Sequence, residues 1–369
     1  MDFFATAAKG TEPALRDELR ELGLAGVQCD RGGVHFAGDW EAAWRACLHA
    51  RVALRVFHPL ARFEAPSPAA LYDGVRAIDW SAHLDPDHSL AVTAWCRNSA
   101  LRHTNFTAQK TKDAIVDQQR DRCSRRSSVD RRQPDVPIFV HLVRDRATVY
   151  LDLAGESLHR RGYRRRTVEA PLKENLAAAL LRLGGWDRER PLCDPMCGSG
   201  TIAIEAWQWS RRIAPGLGRR RFAFERWPRH DAGARRRMEA LRAEARAAVL
   251  REGPAVLACD RDGRAVAAAR ANARAAGAAL QIEQRSVFDL EPLQPPGCIA
   301  SNPPYGARLG SSRDFYDRLG TALRALAGHR VVLLAAQRRL QRALRLKPEL
   351  ARIVYNGDIQ CRLLAYRIR

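Results

Sequence analysis

From Met1 to Phe63 the chain alternates short apolar runs with amphipathic stretches. Phe3-Phe4-Ala5-Thr6 reads as a strand. Thr11-Glu12-Pro13-Ala14-Leu15 opens a helix, with Thr11 expected as N-cap and Pro13 in the first turn. Val34-His35-Phe36-Ala37 is a second strand, and a helix over 40–50 places Trp44 and Leu48 on one face. This order predicts a small split βαβ domain of ferredoxin-like type over residues 1–63. Residues 64–155 form a second α+β module. There the pattern predicts a helix over 107–122, then strands 138–142 and 148–152 around a turn at Arg144-Asp145-Arg146.

From residue 156 the rhythm changes. Apolar runs at 191–194, 256–259, 280–283, 298–301 and 331–335 alternate with helical stretches, the pattern of a parallel sheet. The last two runs, 352–355 and 361–366, flank Asn356-Gly357, a hairpin signal. Residues 156–369 are therefore expected to form an α/β, Rossmann-like, mostly parallel seven-stranded sheet with a terminal antiparallel hairpin.

Composition narrows the partners. Among 369 residues, 62 Lys and Arg face 41 Asp and Glu, a net charge of +21 that points to a polyanion. A coding bias toward arginine contributes to the excess, but the acids have not risen to match it. No apolar run reaches membrane-spanning length, and Met1-Asp2-Phe3-Phe4 does not read as a signal peptide, so a cytoplasmic protein with no membrane partner is expected. The nine cysteines include no Cys-x-x-Cys pair, which argues against a metal site and for reduced thiols.

Two segments carry chemistry. Leu192-Cys193-Asp194-Pro195-Met196-Cys197-Gly198-Ser199-Gly200-Thr201 reads as strand, glycine turn and helix start. It lacks the Gly-Lys-Ser/Thr ending of a phosphate loop and the third glycine of a dinucleotide fingerprint. Asp194 at the strand end suits a cationic ligand, such as the amino group of S-adenosylmethionine. Asp260, ending the next expected strand, suits ribose hydroxyls, although an N-cap before Arg264 is equally compatible. Its distance from the glycines implies an insertion, visible as the arginine-rich stretch 211–251. Asp289, after Val287 and Phe288, is placed to accept from an adenine amino group.

The second segment is Asn302-Pro303-Pro304-Tyr305-Gly306, directly after Cys298-Ile299-Ala300-Ser301. An exocyclic amine on a nucleobase is a poor nucleophile because its lone pair is delocalised into the ring. The Asn302 side-chain oxygen and the Pro303 carbonyl offer acceptors for its two hydrogens, the paired prolines hold the backbone, and Tyr305 offers a stacking face. Alone, a Pro-Pro pair after a strand serves equally as a rigid turn. No cysteine sits directly beside this segment, which argues against the thiolate chemistry of cytosine-C5 methylation.

Taken together, residues from about Leu158 onward resemble the class I S-adenosylmethionine-dependent RNA guanine-N2 methyltransferases that carry a THUMP domain. The resemblance rests on His159-Arg160-Arg161-Gly162-Tyr163-Arg164, Ala170-Pro171-Leu172-Lys173-Glu174-Asn175-Leu176-Ala177, Asp194 to Gly200, Phe222-Ala223-Phe224-Glu225-Arg226-Trp227, Asn302 to Gly306, and Asn356-Gly357. It implies a class I methyltransferase fold, S-adenosylmethionine as cofactor, and Asn302, Pro303, Pro304 and Tyr305 as the catalytic segment. Asp194, Pro195, Met196, Cys197, Gly198, Gly200, Thr201, Asp260, Asp289 and Asn302 are the expected cofactor contacts. Lys173 and Asn175 are added because the family's helix there closes over the cofactor. The insertion is expected to belong to the family plan.

Residues 64–155 resemble a THUMP domain, so Lys110, Lys112 and Arg120 become candidate phosphate contacts. Arg160, Arg161, Tyr163 and Arg164 fall in a run with five arginines among seven residues, which reads either as an RNA contact with an aromatic for stacking or as a charged linker. The expected substrate is 23S rRNA, with a tRNA guanine second. An adenine-N6 methyltransferase remains open, because both targets are planar amines, as does a non-catalytic RNA-binding assembly factor. The ribosomal enzymes in some bacteria are fused to a second methyltransferase, whose activity is not expected here because the sequence ends at Arg369.

Overall fold

The computed structural model describes residues 1–167, 171–304, 313–336 and 338–369. Tyr305, Gly306 and Ala170, named above, lie outside these. The described residues build two seven-stranded sheets.

The first sheet takes up β1 (Asp2–Thr6), β2 (Ala25–Asp30), β3 (Gly33–Ala37), β4 (Arg55–Glu64), β5 (Leu90–Arg97), β6 (Val136–Val143) and β7 (Arg146–Asp152), in the order β2-β3-β1-β4-β7-β6-β5. Only β5 and β6 run parallel. The two N-terminal modules therefore join edge to edge. Phe57 of β4 sits opposite Phe4 of β1 on one side and Asp152 of β7 on the other. Along each strand, alternate residues such as Phe3 and Ala5, or Ile138, Val140 and Leu142, are buried. That inner face meets α1 (Glu12–Glu21), α2 (Trp40–His49), α3 (Pro68–Arg76) and α4 (Thr104–Cys123) in one core. Thr11 holds the N-cap position of α1 as expected, but its hydroxyl donates to the Ala8 carbonyl at 2.7 Å and so makes no side-chain bond to the helix amides.

The second sheet contains β8 (Leu192–Asp194), β9 (Val256–Asp260), β10 (Gln281–Gln284), β11 (Cys298–Ser301), β12 (Arg330–Ala335), β13 (Leu350–Asn356) and β14 (Ile359–Arg367). Its order is β10-β9-β8-β11-β12-β14-β13, parallel except that β14 runs against both its neighbours. This is the class I methyltransferase arrangement. Gly357, at φ 63°, makes the turn of the final hairpin, a conformation that Asn-Gly favours. The helices on the two faces are α5 (Glu174–Leu183), α6 (Thr201–Ser210), α7 (Ala232–Ala247), α8 (Gly263–Ala275), α9 (Arg313–Arg324) and α10 (Arg338–Leu344), with α7 as the exception described next. Burial of Leu176, Leu180 and Leu181 of α5 contributes roughly 2 kcal/mol per side chain.

The insertion at 211–251 packs on the first body rather than the second. Phe222, Phe224, Trp227 and the α7 residues Ala234, Met238, Leu241 and Ala245 belong to the N-terminal core. Trp44 of α2 stacks on Phe224 at 5.4 Å and 12°. Glu225 receives both guanidinium nitrogens of Arg242, at 2.7 and 2.9 Å.

A buried ionic joint completes the contact. Glu205 of α6, with no exposed surface, accepts from Arg51 at 3.1 Å, from Arg161 at 3.4 Å and from the Tyr163 hydroxyl at 3.3 Å. Arg161 also donates to the Leu158 and Arg51 carbonyls. The expectation that Arg161 and Tyr163 touch RNA is thus corrected: both are buried. A carboxylate fully removed from water must be neutralised by cations and donors, and these residues supply them.

Candidate active site

Strand β8 ends in Asp194, the chain turns through Gly198 and Gly200, and α6 begins at Thr201. Both glycines have positive φ, 54° and 83°. A Cβ on Gly200 would lie 3.1 Å from the Ala269 Cβ of α8, so the turn can press against that helix only without a side chain. β8 and β11 are neighbours, with β9 on one flank and β12 on the other, so the strand order reverses between them. In open α/β sheets the crevice at such a reversal is where ligands bind.

Asp194 is almost fully buried there. Its Oδ1 accepts from the Ser301 hydroxyl at 2.7 Å and from the Met196 amide at 3.3 Å. Burial nevertheless pushes its pKa up from 3.8 to about 7. Two hydrogen bonds, and no cation among the described residues, leave the anionic form under-compensated, which is the electrostatic demand of a site built for a positive ligand. Asp260 ends β9 and accepts from the Gly198 amide at 2.9 Å through one oxygen and from the Asp262 amide at 3.0 Å through the other. It is not the cap of α8; Asp262 is, accepting from the Arg264 amide at 2.9 Å. Asp260 therefore faces the glycine turn.

Beyond β11 comes Asn302. Its side-chain Oδ1 is buried and has no hydrogen-bond partner among the described residues. A buried carbonyl oxygen left without a donor costs roughly 1–3 kcal/mol, so its vacancy points to a group that arrives from outside. The Pro304 carbonyl, by contrast, is taken by the Tyr316 hydroxyl of α9 at 3.1 Å.

These groups share one cavity of about 680 Å³. Its wall includes Asp194, Pro195, Met196, Cys197, Gly198, Thr201, Asp260, Asn302 and Pro304. Ser286, Val287 and Phe288 close one side, and Phe288 meets Phe315 edge-on at 5.7 Å. The structure thus brings together the two halves of the sequence reading, 194–201 and 302–304.

Four expected contacts are absent from that wall; the first is Gly200, whose close neighbour is Ala269 of α8. Asp289 closes a short 3₁₀ turn (Val287–Asp289) and is not on the cavity wall. The Asn175 side chain is buried and reaches the Val52 carbonyl of the N-terminal body at 3.5 Å. Lys173 precedes α5 and lines a different groove, discussed below. The helix that the family resemblance places over the cofactor instead directs these two side chains toward the N-terminal body.

Sequence reasoning missed Ser301, Phe315 and Leu172, which also serve this site. Ser301 could have been noticed, because it immediately precedes Asn302 at the strand end. Phe315 lies on a helix with no local signal of the cavity.

Arg164 is also corrected as an RNA contact. It holds the site's frame from behind, donating to Glu174 at 3.0 Å, Ser199 at 3.1 Å, the Leu172 carbonyl at 2.8 Å and Thr201 at 3.2 Å. Arg160 is exposed and pairs with Glu156 at 2.8 Å. On α4, Lys110 lies 4.6 Å over the Tyr72 ring, Lys112 pairs with Asp113, and Arg120 pairs with Asp117 at 3.1 Å. Each α4 cation therefore already has a partner within the THUMP-like module.

Comparison with known proteins agrees with this architecture. Residues 2–57 match an RlmL ferredoxin-like domain, 67–152 a THUMP domain and 161–365 an RMKL-like methyltransferase domain. The ribosomal RNA large subunit methyltransferase K/L of Methylococcus capsulatus is 43% identical over 377 residues, covering 100% of this chain and 51% of that protein. The chain thus spans about half the length of the curated relatives of that name. Protein slr0064 of Synechocystis sp., provisionally named an RNA methyltransferase, is 38% identical over 99% of this chain and 96% of its own length. Among solved structures, SMU.472, crystallised with SAH and described as a methyltransferase, superposes with a TM-score of 0.90 at 33% identity, covering 100% of this chain and 98% of that one. With the glycine turn, both strand-end carboxylates and the Asn-Pro-Pro segment gathered at one strand-order reversal, the chain belongs to the RMKL-like methyltransferase family, joined to ferredoxin-like and THUMP domains.

Proposed function

We propose that this chain transfers a methyl group from S-adenosylmethionine to the exocyclic N2 of a guanosine in RNA, with 23S rRNA as substrate. The observation that carries the reading is the buried, unpartnered Asn302 Oδ1 on the wall it shares with Asp194 and Asp260. The K/L-named relatives support a ribosomal substrate, and the family resemblance supports guanine. A cytoplasmic location fits such a substrate, and no described helix is long and apolar enough to cross a membrane.

The residues present suit the cofactor. Asp194 would take its ammonium group, Asp260 its ribose hydroxyls, and Val287 and Phe288 its adenine ring. When bound, S-adenosylmethionine supplies an electrophilic methyl on a sulfonium, so the protein has little acid–base work to do. The chain's own contribution is alignment and charge. Asn302 Oδ1 accepts one amine hydrogen and the Pro303 carbonyl is the second acceptor. Together they hold the amine so that its lone pair faces the methyl, and they stabilise the positive charge that develops on nitrogen until it releases one of its two hydrogens to solvent as a proton. The guanine must leave any helical stack to reach this depth.

The test is reaction of the purified protein with 23S rRNA and with tRNA, followed by mass spectrometry of nucleosides. N2-methylguanosine in 23S rRNA is the expected product. Asn302→Ala should lower turnover by about 10²- to 10³-fold with cofactor affinity nearly unchanged. N6-methyladenosine, or product in tRNA alone, would overturn the target. Failure to bind the cofactor at millimolar concentration would favour an assembly factor without activity.

A further inference from the structure

The first sheet has helices on one face only. Its other face is a groove of about 1540 Å³ running across β1, β4, β7, β6 and β5, and so across both N-terminal domains. We propose that this open face is a binding groove for single-stranded RNA that leads substrate into the catalytic cavity. The inference rests on the RNA-substrate reading above and adds where and how the strand is held.

The first observation is a set of aromatic surfaces in register. Trp95 of β5 lies opposite His141 of β6, and His141 opposite Thr148 of β7, which is opposite Arg62 of β4. One step along, Phe139 of β6 lies opposite Tyr150 of β7. Trp95 and His141 stack at 5.0 Å and 8°, and Phe57 and Phe139 at 4.9 Å and 6°. All of these residues line the groove; Trp95 is 42% exposed, whereas Phe57 is buried and serves only to back Phe139. Flat rings on an open sheet offer stacking to bases that are not already stacked in a duplex.

The second observation is charge. Arg62, Arg97 and Arg144 line the same groove, with no ion-pair partner among the described residues. Arg55 and Arg146 are paired with Asp152 and Glu64. The acids on the groove are Asp2 and Asp30, and Asp30 is within 3.1 Å of His35. The balance favours a polyanion. A second copy of the chain docked on this face by a two-fold axis would bring these unpaired arginines toward their own counterparts, which like-charge repulsion disfavours.

The third observation is position. Lys173 lines the groove, while its neighbours Pro171 and Leu172 line the catalytic cavity. One short segment is therefore the wall between the two spaces. A strand lying on the sheet could pass its next nucleotide over that wall to Asn302. The α4 cations, already partnered within their own domain, then need not contact RNA at all.

The experiment uses the full chain and a fluorescein-labelled, mixed-sequence single-stranded RNA of about a dozen nucleotides, the span of one to a few stacking platforms. A duplex of equal length is the control. Anisotropy titrations are run at several salt concentrations on the unaltered protein, Trp95→Ala/His141→Ala, Arg62→Glu/Arg97→Glu and Lys110→Ala/Lys112→Ala. Circular dichroism and calorimetric titration with S-adenosylmethionine check that each variant is folded. The groove predicts single strand bound in preference to duplex. It predicts affinity about tenfold weaker in the aromatic variant, and a salt slope reduced by about 0.7 per lost phosphate contact in the arginine variant. The α4 variant should change little. Equal binding by the unaltered protein and both groove variants, a preference for duplex, or loss confined to the α4 variant would overturn the proposal. So would a dimer that the aromatic variant dissolves while RNA affinity holds. Methyl transfer to 23S rRNA is assayed in parallel. Its absence counts against the enzymatic reading, while the binding data still decide the groove.

Discussion

The two sheets of this protein have the same number of strands and opposite uses for their surfaces. The second is mostly parallel, so its crossovers carry helices to both faces and its central strands are buried along their length, as in Cys298-Ile299-Ala300-Ser301, while β10, β13 and β14 at and beside the edges keep exposed residues. Helices cover its central strands, and the candidate site lies at the loops of the strand ends, where Asp194, Asp260 and Asn302 meet. The first sheet is largely antiparallel. Its connections keep the helices on one side and leave the other to alternate rings and cations, as in β5 (burial alternating along Leu90–Arg97). Sheet polarity thus decides whether a domain works at an edge or across a plane.

The comparison depends on the two bodies being held in one orientation, and Glu205 is the residue to break. Glu205→Ala leaves Arg51 and Arg161 buried without their shared carboxylate. A loss of about 4 kcal/mol is expected in denaturant unfolding. A loss under about 1 kcal/mol would show that the joint is incidental to the assembly.

A smaller effect tests the strand-end site alone. Because Asp194 is pushed up to about 7, it is partly protonated near neutrality, and a cationic ligand requires it ionised. Cofactor affinity should therefore rise with pH, gaining about fivefold between pH 6 and 7 and levelling above pH 8. Binding near pH 6 should release a proton, visible as a buffer-dependent calorimetric enthalpy. The raised value also means that the folded protein without ligand holds this proton more tightly than the unfolded chain. Asp194's contribution to stability is thus full below pH 4 and lost as pH rises toward 7. Asp194→Asn should remove the pH dependence of cofactor affinity while leaving RNA binding on the first sheet intact.

The mildest change sharpens the boundary between the two regions. Tyr163→Phe removes one hydrogen bond to Glu205 and should cost about 1 kcal/mol in stability with RNA affinity unchanged. A selective loss of RNA binding would show that the Tyr163 hydroxyl reaches RNA, against the burial of that side chain.

Much of the strand end chemistry was legible because it is local. Asp194 to Gly200 and Asn302 to Pro304 each carry their meaning within a few residues, since a glycine turn or a Pro-Pro segment needs only its neighbours to take shape. The final hairpin was equally plain from Asn356-Gly357. The run 160–166 was the opposite case. Charge density suggested an exposed RNA contact, but Arg161, Tyr163 and Arg164 each answer a carboxylate or carbonyl contributed by distant segments, Glu205 and Glu174 among them. Burial of a charge is decided by what folds against it, and nothing in the run itself states that. Lys173 and Asn175 show the same limit, because the direction of a helix's first turn depends on how the domains dock.

By itself, then, the amino-acid sequence, though it left β2, β4, β5 and α3 unread, determined the α+β and α/β character of the modules, the parallel character of the second sheet, and the residues at its strand ends. Those follow from period, turn chemistry and backbone preference, which act over a few residues. Only the tertiary structure decided that β4 welds two domains into one sheet, that the 211–251 insertion packs on the first body, and that rings of β5, β6 and β7 align beside arginines without an ion-pair partner among the described residues. Register across strands and the pairing of buried charges are set by contacts between segments far apart in the chain, and those exist only once the chain has folded.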